Sequence, residues 1–248
     1  MSKRDFLPGG YSYLPGVFQY SAGVAALSGF RIERATFQRP VALADGFPKI
    51  EALLAARRRP PTALCACELR SPGQMSEDAF RHLNELYVEQ LAKWGVVVDG
   101  ANPVARSNVC PERSPPAEPS FHAFSFTVED RAARPSFVIA GSGEAPEGRS
   151  SYRDHIVRPG DTSPEGLREK ARFVLDEMER RLAGLGFRWR DATVTQIYTI
   201  HDIHPFLADE IVARAAATYG VIWHYCRPPV VGLDYEMDCR GVDHERVI

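Results

Sequence analysis

The element order of this chain runs through twice, and that repetition limits the fold more than any single motif. Residues 17–26 read as a strand and 29–37 as its hairpin partner. A helix follows over 43–58, with Phe47, Ile50, Leu53 and Leu54 at helical spacing. Pro60 and Pro61 stop it, and 62–69 reads as a short apolar strand. Ser76 is a helix N-cap with acids Glu77 and Asp78 behind it. The helix over 77–94 carries Phe80, Leu83, Leu86, Tyr87, Leu91 and Trp94 on one stripe and ends at Gly95. Strands over 104–109 and 121–128 close the first half, joined by the proline-rich turn 111–119.

Residues 129–135 are charged, lack apolar periodicity and read as a linker. Then the order restarts with a strand over 136–143. Ser163 and Pro164 start a helix that runs to Leu185 and is closed by Gly186. A strand over 191–200, a helix over 205–219 ended by Gly220, and strands over 221–225 and 230–239 complete it. Residues 1–16, rich in Gly, Pro and Tyr, read as a structured lead-in.

Both halves therefore read β-β-α-β-α-β-β, a duplication of about 120 residues and so two packed domains rather than a solenoid. The expected division is 1–128 and 129–248. Each domain is expected to be α+β, a mixed sheet with two helices on one face. The uncovered face needs a partner. Val24, Leu64, Ile197 and Met237 are assigned to it, and a homotrimer burying six sheets is expected.

Charge and composition exclude several functions. The net charge of −2 gives no general basic field for nucleic acid. The run Arg57-Arg58-Arg59 reads as a solvated helix end. No apolar run reaches the roughly 18 residues of a membrane helix. Met1-Ser2-Lys3-Arg4-Asp5 lacks the apolar region of a secretion signal. The five cysteines form no zinc spacing, and the pair Cys65 and Cys67 is expected on one side of a strand. Reduced thiols and a cytoplasmic location follow as expectations. His201-Asp202-Ile203-His204 reads as a capped turn rather than a metal site, and no metal or cofactor is expected.

One stretch stands out chemically, residues 102–111 (NPVARSNVCP). Pro103 and Pro111 bracket a short extended run, since proline biases the residue before it toward extended backbone. Arg106 sits in that run. Its planar donor fork suits a carboxylate, and the other reading is a surface ion pair.

Several short motifs, in the right order, resemble the Rid/YjgF superfamily of enamine and imine deaminases. They are Gly10-Tyr11-Ser12, Tyr20-Ser21-Ala22-Gly23, Asn84-Glu85-Leu86-Tyr87 and Ala105-Arg106-Ser107. In the second half the match lies in Ser142-Gly143-Glu144, the helix over 163–186 and residues 192–202. That half lacks the Ala-Arg-Ser and Asn-x-x-Tyr motifs, so its own site is expected to be degenerate. With residues 65–72 (CACELRSP) and 102–108 (NPVARSN), the whole chain resembles the 2-aminomuconate and 2-amino-5-chloromuconate deaminases of aromatic degradation.

The resemblance implies a chorismate-mutase-like fold in each domain, trimers, no cofactor, and an unsaturated amino-dicarboxylate as the small-molecule substrate. It implies Arg106 as the carboxylate clamp, with Ser107 and Ser21 as donors, Tyr11 as a wall, and Asn84 and His122 at the site. Glu144 is the expected acid/base. Glu236 and Asp238 alternate with apolar neighbours on the last strand and are alternatives. Cys110, close to Arg106 in sequence, has no histidine partner and is not expected to be catalytic. The rival function is a Rid-like protein that binds small carboxylates without turnover.

Overall fold

The computed structural model describes residues 2–149 and 151–248; Met1, the first residue of the expected lead-in, and Ser150 lie outside the described residues. The strands are β1 (Arg4–Phe6), β2 (Tyr11–Leu14), β3 (Gly23–Ala26) and β4 (Phe30–Ala42), followed by helix α1 (Leu43–Ala56). Next come β5 (Leu64–Arg70), α2 (Glu77–Lys93), β6 (Ala105–Pro111), β7 (Ser120–Glu129) and β8 (Phe137–Gly143). The remainder is α3 (Pro164–Leu185), β9 (Val194–Tyr198), α4 (His204–Phe206), β10 (Ile222–His224), β11 (Cys226–Arg227), β12 (Glu236–Gly241) and β13 (His244–Val247).

The two sheets share a strand order. One sheet contains the order β6-β5-β7-β4 and the other β10-β9-β12-β8. In each, the first two strands are parallel and the remaining pairs antiparallel. The fold is α+β, with two mixed sheets. Helices α1 and α2 cover the first sheet through Phe47, Ile50, Leu54, Tyr87 and Leu91. Helix α3 covers the second through Ala171, Val174, Leu175, Met178 and Leu182. The capping signals hold: Ser76 Oγ accepts from the Ala79 amide at 3.2 Å, and Ser163 Oγ accepts from the Gly166 amide at 3.1 Å.

A cut at 128/129 does not divide the sheets. Strands β1, β2 and β3 extend the second sheet beside β8, while β13 and β11 extend the first beside β4 and β6. The expected hairpin of residues 17–26 with 29–37 is therefore absent: β3 pairs with β2 and β8, and β4 pairs with β7 and β13. Each chain terminus is sewn into the sheet of the other half, so the halves share strands as well as a packing face.

The uncovered sheet faces meet each other inside one chain. Val24, Leu64, Ile197 and Met237 are all fully buried. Val24 lies between the sheets, and the other three lie under the helices. The inter-sheet layer is polar as well as apolar. Arg34 grips Glu68 with two hydrogen bonds, at 2.6 and 2.8 Å, and Glu245 bonds both Arg34 (3.1 Å) and Arg240 (2.7 Å) across the sheets. Buried charges in such a layer are tolerated because each finds a hydrogen-bonded partner.

Two local expectations also change. Cys65 and Cys67 face opposite sides of β5, one between the sheets and one under the helices. A bulge at residue 65, where two β5 residues oppose one on β7, breaks the two-residue alternation. The helix expected over 205–219 is one α turn that widens into a π-helix at Leu207–Val212. Ala215, at φ +62°, then ends the helical path.

Candidate active site

Strand β6 is pinned at its entry. Asn102 Oδ1 accepts from the Val104 amide at 3.0 Å, and its Nδ2 donates to the Gln19 carbonyl at 2.9 Å. Ser21 donates from its amide to the Val104 carbonyl and from Oγ to the Pro103 carbonyl, both at 2.9 Å. Two residues beyond this clamp, Arg106 points toward α2. Phe80, Asn84 and Tyr87 recur at helical spacing on the buried face of that helix.

The Arg106 guanidinium lies 5.0 Å from the Tyr87 ring, 5.1 Å from Tyr20 and 5.7 Å from Phe80. It is 2% exposed, and among the described residues its Nε and Nη1 have no hydrogen-bond partner. Among the described residues no carboxylate forms an ion pair with it. Three aromatic faces offset part of its desolvation, but a buried cation without an anion is costly. The reading of Arg106 as a surface ion pair is excluded by its burial.

The opposite wall comes from the second sheet. Glu236, on β12, lines the same cavity of about 30 Å³ as Arg106, Asn108, Tyr20, Phe80 and Tyr152. Its carboxyl is held well above the usual carboxylate range, first by burial and then by the nearby Asp238 and Glu147 charges, with Arg106 opposing. A bulge between β8 and β12 brings Gly141 against it. A Cβ on Gly141 would collide with the Glu236 carboxyl and lie 3.0 Å from the Ser107 Cβ. Beside this cavity lies a cleft of about 430 Å³ that shares Phe80 and Tyr152 with it and is also lined by Asn84.

Behind the aromatic wall stands a charged brace. Tyr20 donates to Glu147 at 2.8 Å, and Glu147 lies 2.9 Å from the fully buried Arg181 of α3. Arg181 also donates to the carbonyls of Ala140 (3.1 Å) and Gly141 (3.3 Å). Sequence reading missed Phe80, Glu147, Tyr152 and Arg181 as site residues. Phe80 was on the predicted α2 stripe, but nothing local marks the other three.

The residues expected at the site divide into three groups. Arg106 and Asn84 face the two neighbouring spaces; Asn84 is fully buried, and among the described residues neither of its amide atoms is hydrogen-bonded. Ser21 and Tyr11 hold backbone instead: Tyr11 donates to the Leu64 carbonyl at 3.0 Å within the inter-sheet core. Ser107 projects from the other side of β6, toward Gly141 and the polar layer that holds Glu68, Asp238 and Arg240. His122 lies in that layer too, away from Arg106; burial and Arg70 push its pKa down to about 4.

Glu144 is engaged elsewhere. Its carboxylate accepts from Lys170 at 3.1 Å and from the amides of Asp234 (2.6 Å) and Tyr235 (3.1 Å), all inside the protein. Asp238 accepts from Gln196 at 2.8 Å and Tyr198 at 2.9 Å. Burial pushes the Cys110 thiol up to about 12, so no thiolate forms there near neutrality. Arg70 is buried over the Tyr198 ring at 5.5 Å and donates to its neighbour's carbonyl, and Arg240 is taken by Glu245. Neither lines the Arg106 cavity.

Among solved structures, the YjgF gene product of E. coli aligns at TM-score 0.32 and 15% identity, over 44% of this chain and 81% of that one. The cyanuric acid hydrolase of A. caulinodans aligns at TM-score 0.42 and 13% identity, over 88% and 68%. In sequence the chain is 51% identical over 245 residues to a 2-amino-5-chloromuconate deaminase of Comamonas testosteroni, covering 98% of each. The family model described as 2-aminomuconate deaminase CnbZ matches residues 3–246. The chain belongs to the 2-aminomuconate deaminase CnbZ family.

Proposed function

We propose that this protein hydrolyses an enamine of an unsaturated amino-dicarboxylate, 2-aminomuconate or 2-amino-5-chloromuconate, and releases ammonia. One observation carries the reading: a buried guanidinium without an anion, Arg106, faces a carboxyl raised in pKa, Glu236, across one cavity. Arg106 takes the carboxylate next to the nitrogen in a two-point contact. Glu236, its pKa raised by burial, gives a proton to a carbon of the conjugated chain as the nitrogen lone pair moves in, forming the iminium. Water then adds at C2, and the Glu236 carboxylate accepts the proton that water loses. Collapse of the carbinolamine, with that proton returned to nitrogen and the hydroxyl proton passing to the Glu236 carboxylate, expels ammonia, leaves the 2-oxo acid and restores the protonated carboxyl. One carboxyl thus acts first as acid and then as base.

Glu236 takes the role first expected of Glu144, because both Glu144 oxygens already accept structural hydrogen bonds. The remaining assignments are Asn84 to the substrate and Ser21 to the strand that carries Arg106. Such substrates arise from ring opening of aromatic amines, so we place the activity in aromatic degradation. The five free cysteines support a reducing, cytoplasmic setting, and no helix among the described residues is long and apolar enough to cross a membrane. For assembly we propose a homotrimer. Exposed Tyr219, Ile222, Trp223 and Tyr225 cluster at the edge strand β10 and support an interface there.

The test is ammonia release from 2-aminomuconate, followed together with loss of the conjugated absorbance. Wild type should turn over and Glu236→Gln should not. Tight binding of 2-aminomuconate by wild type with no ammonia would instead establish the carboxylate-binding alternative.

A further inference from the structure

Arg106 accounts for one carboxylate. The 430 Å³ cleft on the other side of Phe80 and Tyr152 is lined by Arg81, Asn84 and Arg149. Asn84 is fully buried, yet its Nδ2 and Oδ1 have no partner among the described residues. A buried amide with both atoms unsatisfied is rare unless a ligand or water completes it. Arg81 and Arg149 form no ion pair among the described residues. Glu77, also on the cleft, accepts through Oε1 from Ser151 and the Arg153 amide, each at 3.0 Å, and lies near Arg81 without forming an ion pair with it.

We infer that this cleft is the subsite for the second carboxylate of the substrate, with Arg81 and Arg149 supplying charge and Asn84 a hydrogen bond. The inference rests on the proposed site and deepens it: the protein selects a ligand with carboxylates at both ends of a conjugated six-carbon chain. Helix α2 sets this spacing. Phe80 faces the Arg106 cavity as well as the cleft, Arg81 follows it, and Asn84 lies one turn on. The two basic ends are thereby separated by an aromatic wall, suited to the flat chain between the carboxylates. A planar guanidinium matches a carboxylate better than an ammonium does.

Binding separates this inference from the deaminase reading, because it needs no turnover. Isothermal titration calorimetry would compare two unreactive probes, hexa-2,4-dienedioate with two carboxylates and hexa-2,4-dienoate with one. Wild type should bind the diacid about tenfold more tightly, the effect of two partly exposed charge pairs. In the Arg81→Ala/Arg149→Ala variant the diacid should weaken about tenfold while the monoacid changes less than about twofold. Arg106→Ala should weaken both probes. Asn84→Ala should weaken the diacid more than the monoacid. Equal affinity of wild type for the two probes, or a double variant that keeps its preference for the diacid, overturns the subsite. Either result leaves the ammonia assay to decide the deaminase reading separately.

Discussion

Arg181 and Glu147 approach to 2.9 Å behind the cavity, and Glu147 holds the hydroxyl of Tyr20, whose ring lies 5.1 Å from the Arg106 guanidinium. A helix of the second half thus braces the anchor of the first. Replacing Arg181 with Met takes the ion-pair partner from Glu147 and the donor from the carbonyls of Ala140 and Gly141, while Glu177 keeps Arg180. Removing one member of a buried pair costs about 3–5 kcal/mol. Urea unfolding of Arg181→Met should show that loss, and a midpoint equal to wild type would refute the brace.

Arg106→Ala should remove about 2–5 kcal/mol of binding, the cost of a charge-assisted pair in a closed site. That corresponds to roughly 30-fold to several thousand-fold in kcat/KM. Arg106→Lys should not restore it, since an ammonium lacks the two-point fork. Both variants should keep the wild-type circular dichroism spectrum. Near-wild-type ammonia release from folded Arg106→Ala would sink the anchor.

Glu236 gives a pH signature. Its folded pKa is raised, so the native protein keeps a proton that the unfolded chain loses above the ordinary value of 4.5. Stability contributed by this group is therefore complete below that value and falls as pH rises toward the elevated one. Glu236→Gln should flatten that part of the stability curve. It should also lower kcat by about 10²–10⁴-fold, the range for a positioned proton carrier. In wild type, kcat should fall on the alkaline side as Glu236 ionises. An alkaline limb that persists unchanged in Glu236→Gln would assign the acid to another group.

Glu144 should behave in the opposite way. Glu144→Ala leaves Lys170 and two amides without their shared acceptor, and about 3–5 kcal/mol of stability should go with it. Refolded, ligand-saturated Glu144→Ala should retain kcat within about tenfold, less than one catalytic proton transfer is worth. A larger loss in kcat with unchanged stability would return Glu144 to the chemistry.

Gly141→Ala tests the fit between the sheets. The added methyl meets the Glu236 carboxyl and the Ser107 side chain, with the Ser107 Cα only 3.2 Å away. Overpacking of this kind costs about 1–3 kcal/mol. Thermal unfolding should register it, and kcat should fall with it because the carboxyl is displaced. Wild-type values for both would mean that the sheets yield easily at this point.

Local chemistry made much of the chain legible. Although Leu86, expected on the stripe, faces solvent, the buried stripe Phe80, Leu83, Tyr87 and Leu91 and the serine caps depend on neighbours within a few residues and appear as read. So does the extended run around Arg106, pinned by its own prolines and Asn102. What the sequence could not decide is which distant partner each piece meets. Strand β3 is equally suited to pair with β4 or β8, and only the packing of the two sheets sends it to β8. Glu144 and Glu236 are both acids on the second sheet's strands or at their ends. One meets Lys170 and two amides, which hold its carboxylate; the other faces a cavity, where burial and the Asp238 and Glu147 charges raise its pKa well above the usual range against the pull of Arg106. That difference lies in the dielectric and charge of surroundings assembled from residues about a hundred positions apart, which no local pattern encodes.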